Sequence, residues 1–283
     1  MENVVEPERA RKSPLASPGT PVHGEVVRLA VTTPCGATPR VLADARAAAE
    51  RHGLPLLPRD GRALSALARE AGLEALLVLG ARAVLWLAGA EHPFTPGMGA
   101  LRAKRLARGE SATRDPFLEA AGLVPGDEVL DCTAGLAADA IVAAQAVGPS
   151  GRVVALEGSA ALAAWADEGL RRLDHPAARR VRVLCAEHGQ FLRGCPPRTF
   201  DVVVFDPMFR HPRAQEPAFD PVRRLADPRP LSPEALAAAR RVARRWVVVK
   251  DGTPGWDLAR LGLAPLPSRR GAHRLYARAA ALP

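Results

Sequence analysis

Short apolar runs and helical stretches alternate along the second half of the chain. The runs are rich in valine and leucine and lack polar alternation, a pattern typical of strands buried on both faces of a parallel sheet. Helices usually connect such strands and cover the sheet. The predicted strands are residues 128–130, 153–156, 181–184, 202–205 and 246–249, and the predicted helices are 116–121, 138–146, 160–173 and 233–244. This order indicates a doubly wound α/β sheet, which binds ligands beyond the carboxyl ends of its strands.

The first half of the chain predicts a smaller unit. Residues 1–24 contain several prolines and serines without periodicity, and we predict a mobile tail there. Shorter elements follow, with predicted strands at 26–31, 54–57, 75–79 and 83–87 and predicted helices at 39–52, 62–71 and 97–108. We therefore divide the chain into the tail, a small α/β domain at 25–112 and a larger α/β domain at 113–283.

Composition and charge narrow the class of protein. Of the 283 residues, 48% are hydrophobic and 24% are charged, as in soluble globular proteins, and the formal net charge is +9. Only three of the 39 basic residues are lysines, so the surface carries planar arginine side chains that suit phosphate groups. RNA is therefore a candidate partner, although a basic enzyme of another kind fits the charge nearly as well.

Cysteine spacing and apolar stretches argue against other classes. The most apolar stretch, at 73–90, contains Glu74 and Arg82, which oppose a membrane span, and no apolar signal segment follows Met1. We predict free thiols in a reducing compartment and no bound metal, because the four cysteines lack metal-ligand spacing: Cys35, Cys132, Cys185 and Cys195. We expect a cytoplasmic protein.

A tight turn follows the first predicted strand of the larger domain. It reads Asp-Cys-Thr-Ala-Gly-Leu-Ala-Ala-Asp at 131–139, where Gly135 allows a close backbone approach and the next helix presents free N–H groups. Those groups suit a carboxylate or a phosphate. The three-glycine dinucleotide motif is absent, which argues against a nicotinamide cofactor. A purely structural turn explains this segment equally well.

Acidic residues also follow the second and third predicted strands. Glu157 ends the second strand, where a carboxylate commonly accepts hydrogen bonds from a ribose diol. A solvated surface glutamate is the alternative. Glu187 and His188 follow the third strand, where the base of a bound nucleoside would lie, although His188 also fits an ordinary surface histidine.

The fourth predicted strand ends in the most specific signal of the chain. Asp206 and Pro207 follow it directly, and Phe209 comes two residues later. The carboxylate and a carbonyl oxygen of the proline-stiffened turn offer two acceptors for an exocyclic NH2 group. Phe209 offers a ring on which an unpaired base can stack. The alternative is an aspartate that caps a helix beside a phenylalanine of the core.

Lys250 ends the fifth predicted strand and is one of the three lysines. At a strand end it could pair with Asp206 or bind a phosphate, although a plain surface lysine is the commoner outcome. The segment 271–276 is a candidate edge strand.

Four of these elements occur in a characteristic order: Asp-x-Thr-x-Gly-Leu-x-x-Asp at 131–139, Glu157, Asp-Pro-Met-Phe-x-His at 206–211 and Val-Val-Val-Lys at 247–250. Together they resemble class I S-adenosylmethionine-dependent methyltransferases, and most specifically the bacterial methyltransferase J family, which methylates a guanine N2 of 16S ribosomal RNA. The resemblance covers about residues 115–279 and implies a Rossmann-like sheet. Residues 25–112 resemble the N-terminal region of uncharacterised bacterial relatives of that family.

The resemblance implies a role for each residue at the strand ends. S-adenosylmethionine would contact the first three loops and Asp206, through Asp131, Thr133, Gly135, Ala138, Asp139, Glu157, Gly158, Glu187, His188 and Asp206. The acceptor would contact the last two strand ends, through Pro207, Met208, Phe209, His211 and Lys250. Asp206 and Phe209 are the expected catalytic residues. Catalysis would consist mainly of aligning nitrogen, methyl group and sulfur.

Three hypotheses follow for the function. The first is methyl transfer to the exocyclic amine of a guanine in ribosomal RNA, with the small domain and the basic helix of Arg102, Lys104, Arg105 and Arg108 contacting RNA. The second keeps the cofactor and changes the acceptor to DNA, protein or a small molecule. The third is an RNA-binding protein whose cofactor pocket has decayed, because Ala137 stands where the resemblance calls for glycine and Ala138 where arginine is common.

Overall fold

The computed structural model describes residues 27–111, 115–207, 219–267 and 273–283. The predicted tail at 1–24 lies outside the described residues, and so do Met208, Phe209 and His211 of the predicted acceptor site. Within the described ranges, no helix combines the length and the apolar character that a membrane crossing requires.

A four-stranded sheet forms from the first half of the chain. Its strands follow one another across the sheet as β1 (Leu29–Thr32), β2 (Ala75–Leu79), β3 (Ala83–Leu87) and β4 (Ala90–Pro93). Helices α1 (Pro39–His52) and α2 (Leu64–Glu70) connect β1 to its parallel neighbour β2, and α3 (Met98–Ala107) follows β4. The predicted strand at 54–57 is reduced to a single bridge between Leu56 and Val31.

A six-stranded sheet forms from the second half. Its strands are β5 (Glu128–Asp131), β6 (Arg152–Glu157), β7 (Val181–Cys185), β8 (Phe200–Phe205), β9 (Ala243–Gly252) and β10 (Arg274–Ala280). Its helices are α4 (Pro116–Ala121), α5 (Ala138–Val147), α6 (Ala160–Arg171), α7 (His188–Gly194), α8 (Asp220–Leu225), α9 (Pro233–Val242) and α10 (Trp256–Arg260), with a 3-10 helix at Pro176–Arg180.

The strand order β10-β9-β8-β5-β6-β7 confirms the doubly wound α/β fold. All neighbours are parallel except β10, which pairs antiparallel with β9 at one edge. Consecutive residues face opposite layers: Val129 packs with α4 and α5, whereas Leu130 packs with α7, α9 and α10. Both faces of β5 are therefore buried, which is why its sequence shows no polar alternation.

The small sheet packs on α6 of the large one through a shared apolar core. Trp165 donates a hydrogen bond from its ring nitrogen to the carbonyl oxygen of Ala83 at 3.4 Å, and its ring meets the edge of Phe94 at 5.8 Å. Gly169 completes the contact, because a Cβ atom there would overlap the Phe94 ring.

Ion pairs at the same contact form what we call the interface cluster: Glu168 with Arg51, His52 and Arg172. The Glu168 side chain is 1% exposed, and Arg172 also pairs with Asp44 of α1. Although burial alone would raise the pKa of Glu168, His52, Arg172 and Arg51 lower it to about 2. The cluster therefore ties α1 to α6 through a carboxylate that remains charged.

Candidate active site at the carboxyl edge of the large sheet

Hydrogen bonds bring three strand ends together where the parallel strands end. The Ala134 N–H donates to the carbonyl oxygen of Leu156 at 2.8 Å, which joins the loop after β5 to β6. The Asp206 N–H donates to the Thr133 hydroxyl at 2.6 Å, which joins the end of β8 to the same loop. These bonds bring the loops after β5, β6 and β8 to one edge of the sheet, as the parallel arrangement requires, and we call this region the cleft.

The turn after β5 leaves room for a ligand. Gly135 has a φ of +48°, and the one described atom that a Cβ there would meet within 4 Å belongs to Val222, at 3.9 Å. Ala137 adopts φ +56° at the start of α5, and no side chain caps this helix end. A left-handed alanine is strained by about 1–2 kcal/mol, so the loop keeps this shape against local preference. The first N–H groups of α5 therefore remain available to an anionic group.

Asp131 lies at the base of this turn, buried at the end of β5. Its carboxylate accepts a hydrogen bond from the Thr133 N–H at 3.0 Å. Burial raises the pKa of Asp131 to about 7, and the Thr133 bond only partly opposes that shift. Asp131 is thus a carboxyl group that can change protonation near neutral pH.

Glu157 is buried at the end of β6 and is not a solvated surface residue. One carboxylate oxygen accepts the Gly135 N–H at 3.0 Å and the other accepts the Ser159 N–H at 2.9 Å. Burial raises the pKa of Glu157 above its usual value. Among the described residues, nothing lies within 4 Å of the position that a Cβ atom on Gly158 would take, so the backbone beside this carboxylate is open.

Glu187 and His188 have structural partners in the loop after β7. Glu187 caps α7, accepting the N–H groups of Gly189 and Gln190 at 2.8 and 2.7 Å. The His188 ring meets the edge of the Phe205 ring at 5.5 Å, and burial lowers the pKa of His188. Both residues border the cleft, but their observed contacts are within the protein.

Four side chains of alternating charge connect the end of β8 to α3, and we call them the ion chain: Arg102, Asp139, Lys250 and Asp206. Lys250 contacts Asp206 and lies 3.0 Å from Asp139. The other oxygen of Asp139 lies 2.6 Å from Arg102. Arg102 also donates hydrogen bonds to both carboxylate oxygens of Asp115, at 2.7 and 2.8 Å. The predicted pairing of Lys250 with Asp206 is confirmed, and the surface-lysine alternative is wrong because Lys250 is buried.

Lys250 and Asp139 favour each other's charged form, whereas the pKa of Asp206 is raised. Burial alone would lower the pKa of Lys250, but Asp206 and Asp139 raise it above its usual value. Burial alone would raise the pKa of Asp139, but Lys250 and Arg102 lower it to about 2. Partial burial raises the pKa of Asp206 and Lys250 opposes that shift. Lys250 therefore holds a positive charge between two carboxylates.

Exposure differs along the ion chain. The side chains of Lys250 and Asp139 are each 7% exposed, whereas that of Asp206 is 30% exposed. Asp206 is thus the one carboxylate of this chain that can reach another molecule. Tyr276, opposite Lys250 in the β9–β10 register, closes the buried side.

Arg102 and Tyr276 were not predicted to belong to this site. The prediction that Arg102 contacts nucleic acid is wrong, because Asp115 and Asp139 hold its guanidinium inside the protein. Lys104, Arg105 and Arg108 of the same helix segment are exposed. No local signal reveals the pairing of Arg102 with Asp139, since the two are 37 residues apart in sequence.

Among the described residues, one group of side chains has the spacing of a metal site: His52, Asp167 and Glu168. Arg51 and Arg172 already contact the Glu168 carboxylate. Their guanidinium groups supply the positive charge that a metal ion would bring, so this group fits the interface cluster.

Comparisons with known proteins agree with the cleft geometry. A family model described as "Putative SAM-dependent methyltransferase" matches residues 95–260. The uncharacterised protein YpiP of Bacillus subtilis is 33% identical over 228 residues, which cover 78% of this chain and 88% of YpiP. Ribosomal RNA small subunit methyltransferase J of Pseudomonas aeruginosa is 32% identical over 225 residues, covering 73% of this chain and 78% of that protein.

A solved structure shows the same fold. The S-adenosylmethionine-dependent methyltransferase NGO1261 from Neisseria gonorrhoeae superposes with a TM-score of 0.58 at 22% identity, covering 89% of this chain and 95% of that one. The resemblance predicted from the four sequence elements is confirmed, and S-adenosylmethionine is the cofactor of the matched family. The chain belongs to the family of S-adenosylmethionine-dependent methyltransferases.

Proposed function

We propose that this methyltransferase modifies the exocyclic amine (N2) of a guanine in small-subunit ribosomal RNA. The observation that carries the proposal is Asp206: a carboxylate that Lys250 holds at the end of β8 and that is open on one side. An amine placed against such a carboxylate donates an N–H to it. This hydrogen bond orients the amine so that its nitrogen lone pair points away from the base. The proline that follows Asp206 leaves further carbonyl oxygens available in the same turn.

The cofactor would bind along the loops of β5, β6 and β7. We assign its methionine end to Asp131, Thr133 and Gly135, beside the open start of α5 at Ala138 and Asp139. Glu157 and Gly158 would hold the ribose, and the adenine would lie against Glu187 and His188. The bound cofactor supplies a methyl group on a positively charged sulfur, which is already a good electrophile. The protein's task is then mainly alignment, for which effective molarities can reach about 10^5–10^8 M.

Asp206 would act on the developing charge of the acceptor. As the nitrogen gains the methyl group, the bond from that methyl group to sulfur breaks, and the nitrogen is positive until it releases an N–H proton to Asp206 or to solvent. A fixed carboxylate beside it stabilises that charge more in the transition state than in the bound substrate. Lys250 fixes the orientation of Asp206 and opposes the rise in its pKa that burial causes. We therefore assign Lys250 to Asp206 rather than to a substrate phosphate. Pro207, with Met208, Phe209 and His211, remains the predicted wall for the base, and stacking on Phe209 would contribute about 1–3 kcal/mol.

RNA as the substrate class is supported by charge and by a relative. The net charge of +9 comes almost entirely from arginine, which pairs well with phosphate. The Pseudomonas aeruginosa relative bears the name of a ribosomal RNA methyltransferase. We propose that the small α/β domain at 25–112 and the exposed Lys104, Arg105 and Arg108 contact the RNA backbone.

Methyl transfer from tritiated S-adenosylmethionine tests the proposal directly. Naked 16S RNA, assembled small subunits, bulk DNA and total protein serve as parallel acceptors, and nucleoside mass spectrometry identifies the product. We expect N2-methylguanosine from RNA or small subunits, with RNA affinity that falls steeply as salt rises. Label that enters only DNA, protein or small molecules would overturn the assignment of the acceptor and leave the methyltransferase family intact.

A further inference from the structure

Helix α3 lies outside the six-stranded sheet but touches the turn that opens the cleft. Gly99 faces the backbone of Ala138, the first residue of α5, and a Cβ atom at Gly99 would overlap that backbone. Any larger residue would therefore push α3 away from α5. Helix α3 is thus fitted closely against the start of α5.

Arg102 follows Gly99 by one helical turn and so faces the same side of α3. One guanidinium nitrogen donates a hydrogen bond to Asp139 at 2.6 Å. The other two guanidinium nitrogens donate to the Asp115 carboxylate at 2.7 and 2.8 Å. The side chain also lies over the Phe117 ring, with its central carbon 5.7 Å from the ring centre. Three partners thus fix one arginine, which is 17% exposed.

Asp139 divides its two oxygens between two cations. Arg102 takes one oxygen and Lys250 takes the other. Without Arg102, Lys250 would be the one cationic partner of Asp139 among the described residues, and Asp139 would draw the ammonium group toward itself. Lys250 would then hold Asp206 less firmly, because one ammonium group would have to balance two buried carboxylates.

We infer that Arg102 is a positioning residue for methyl transfer, acting on Asp206 through Asp139 and Lys250. This inference rests on the proposed role of Asp206. It makes α3 a part of the active site, although the helix lies outside the sheet that binds the cofactor. Without α3, the sheet would keep the same strand ends, but the Asp206 carboxylate would be held less firmly in position.

Charged and titratable groups from four elements face Asp206, so its protonation reports on the whole arrangement. They come from β5, α5, β9 and β10: Asp131, Asp139, Lys250, Tyr276 and Arg274. Loss of Arg102 weakens the hold of Lys250 on Asp206 and leaves Asp139 less neutralised. Both changes favour the protonated form of Asp206, so its titration should move to higher pH.

The test is a carboxyl-carbon NMR titration of Asp206 in protein labelled at aspartate, with Asp206→Asn used to assign the signal. The variants are Arg102→Met, Arg102→Lys and the matched control Arg105→Met, since Arg105 is an exposed arginine of the same helix. We expect the Asp206 midpoint to rise by about half a pH unit or more in Arg102→Met, to return toward wild type in Arg102→Lys and to stay unchanged in Arg105→Met. Equal midpoints in all folded variants would overturn the inference.

Kinetics add a second readout. Arg102→Met should lower kcat by about 10- to 100-fold while the Kd of S-adenosylmethionine changes less than about threefold. Asp115→Asn keeps the charge of Arg102 but removes an anchor, and it should show a smaller loss of kcat if Arg102→Met fails to fold. Wild-type kcat in a folded Arg102→Met protein, or in Asp115→Asn where Arg102→Met does not fold, would contradict the inference. The titration needs no acceptor, so failure of the RNA assignment would leave it readable.

Discussion

Two networks of ion pairs join distant parts of the chain. They differ in whether one of their carboxylates remains exposed to solvent. In the interface cluster, cations of α1 and α6 contact both oxygens of Glu168, and its side chain is 1% exposed. In the ion chain, Asp206 has Lys250 as its ion-pair partner among the described residues, and its side chain is 30% exposed. The chemistry of the two networks is similar, but only the ion chain ends at a surface.

The difference shows which buried charges serve stability and which serve reaction. A buried carboxylate surrounded by cations has no capacity left for a ligand, so the interface cluster holds the two sheets together. A carboxylate paired on one side keeps a free oxygen for a second partner. Structural ion pairs shift pKa values as much as catalytic ones do, so exposure separates the two cases better than the pKa does.

Replacing Lys250 with methionine should have the largest effect on the ion chain, because it removes the cation that pairs with Asp206. The change leaves Asp139 and Asp206 facing each other without the cation between them, and uncompensated buried charge is costly. We expect the free energy of unfolding to fall by about 3 kcal/mol and methyl transfer to fall at least about 100-fold. Chemical denaturation and single-turnover transfer measure the two effects.

Lys104→Met is the matched control for this change, because Lys104 is an exposed lysine of α3. Its free energy of unfolding and its Kd for S-adenosylmethionine should match those of wild type. A Lys250→Met protein that transfers methyl groups at the wild-type rate would show that Asp206 does not depend on Lys250.

Glu168→Gln should affect stability alone. Removing the charge leaves Arg51 and Arg172 close together without their carboxylate, and we expect the free energy of unfolding at neutral pH to fall by about 2–3 kcal/mol. Methyl transfer per folded molecule should stay within about twofold of wild type, because Glu168 lies outside the cleft. The control is Glu50→Gln, an exposed position on α1.

The stability difference between wild type and Glu168→Gln should depend on pH. The pKa of Glu168 falls from 4.5 to about 2 on folding, so its ion pairs stabilise the fold fully above pH 4.5 and lose that effect as pH falls toward 2. The stability difference between wild type and Glu168→Gln should therefore shrink over that interval. A difference that is independent of pH would show that packing, and not charge, causes the loss.

Glu157→Gln should weaken cofactor binding without stopping the reaction. The amide keeps the shape of the side chain but loses charge-assisted hydrogen bonds to a ribose diol, worth about 1.5 kcal/mol, so Kd should rise about tenfold. Calorimetric titration with S-adenosylmethionine measures the change, with exposed Glu119→Gln as the control. An unchanged Kd would place the ribose elsewhere.

Asp131 should affect stability with a pH dependence opposite to that of Glu168. Burial raises its pKa from 3.8 to about 7, so its contribution to stability is full below pH 3.8 and is lost as pH rises through about 7. A shift of about three pH units corresponds to a decline of at most about 4 kcal/mol, and Asp131→Asn, which remains neutral, should remove that decline. Denaturation curves between pH 4 and pH 8 measure it, and parallel curves for both proteins would contradict the assignment.

The strands were predictable because consecutive residues in them are apolar and buried. Val129 and Leu130 face different layers, and each layer needs an apolar side chain, so the run marks a central strand. Strand β4 was missed because its four residues are almost all exposed. Helices α7, α8 and α10 were missed because five to seven residues give too short a period to detect.

The site was predictable where it depends on strand ends and unpredictable where it depends on long-range pairing. Glu157 and Asp206 were found because parallel strands bring their carboxyl ends to one edge. The pairing of Lys250 with Asp139 joins residues 111 positions apart, and Arg102 lies on a helix that the pattern assigned to another unit. The capping role of Glu187 follows from the acid before Gly189 and Gln190, a local signal that was available.

Single-turnover methyl transfer by Asp206→Asn, saturated with S-adenosylmethionine, is the most direct test of the active site. The amide keeps the size of the side chain but removes the charge that would stabilise the reacting nitrogen. We expect a rate loss of at least about 1,000-fold with a cofactor Kd within about threefold of wild type, while Asp60→Asn, an exposed control, keeps the wild-type rate. A folded Asp206→Asn protein that transfers methyl groups within about tenfold of the wild-type rate would contradict the assignment of Asp206 as the catalytic carboxylate.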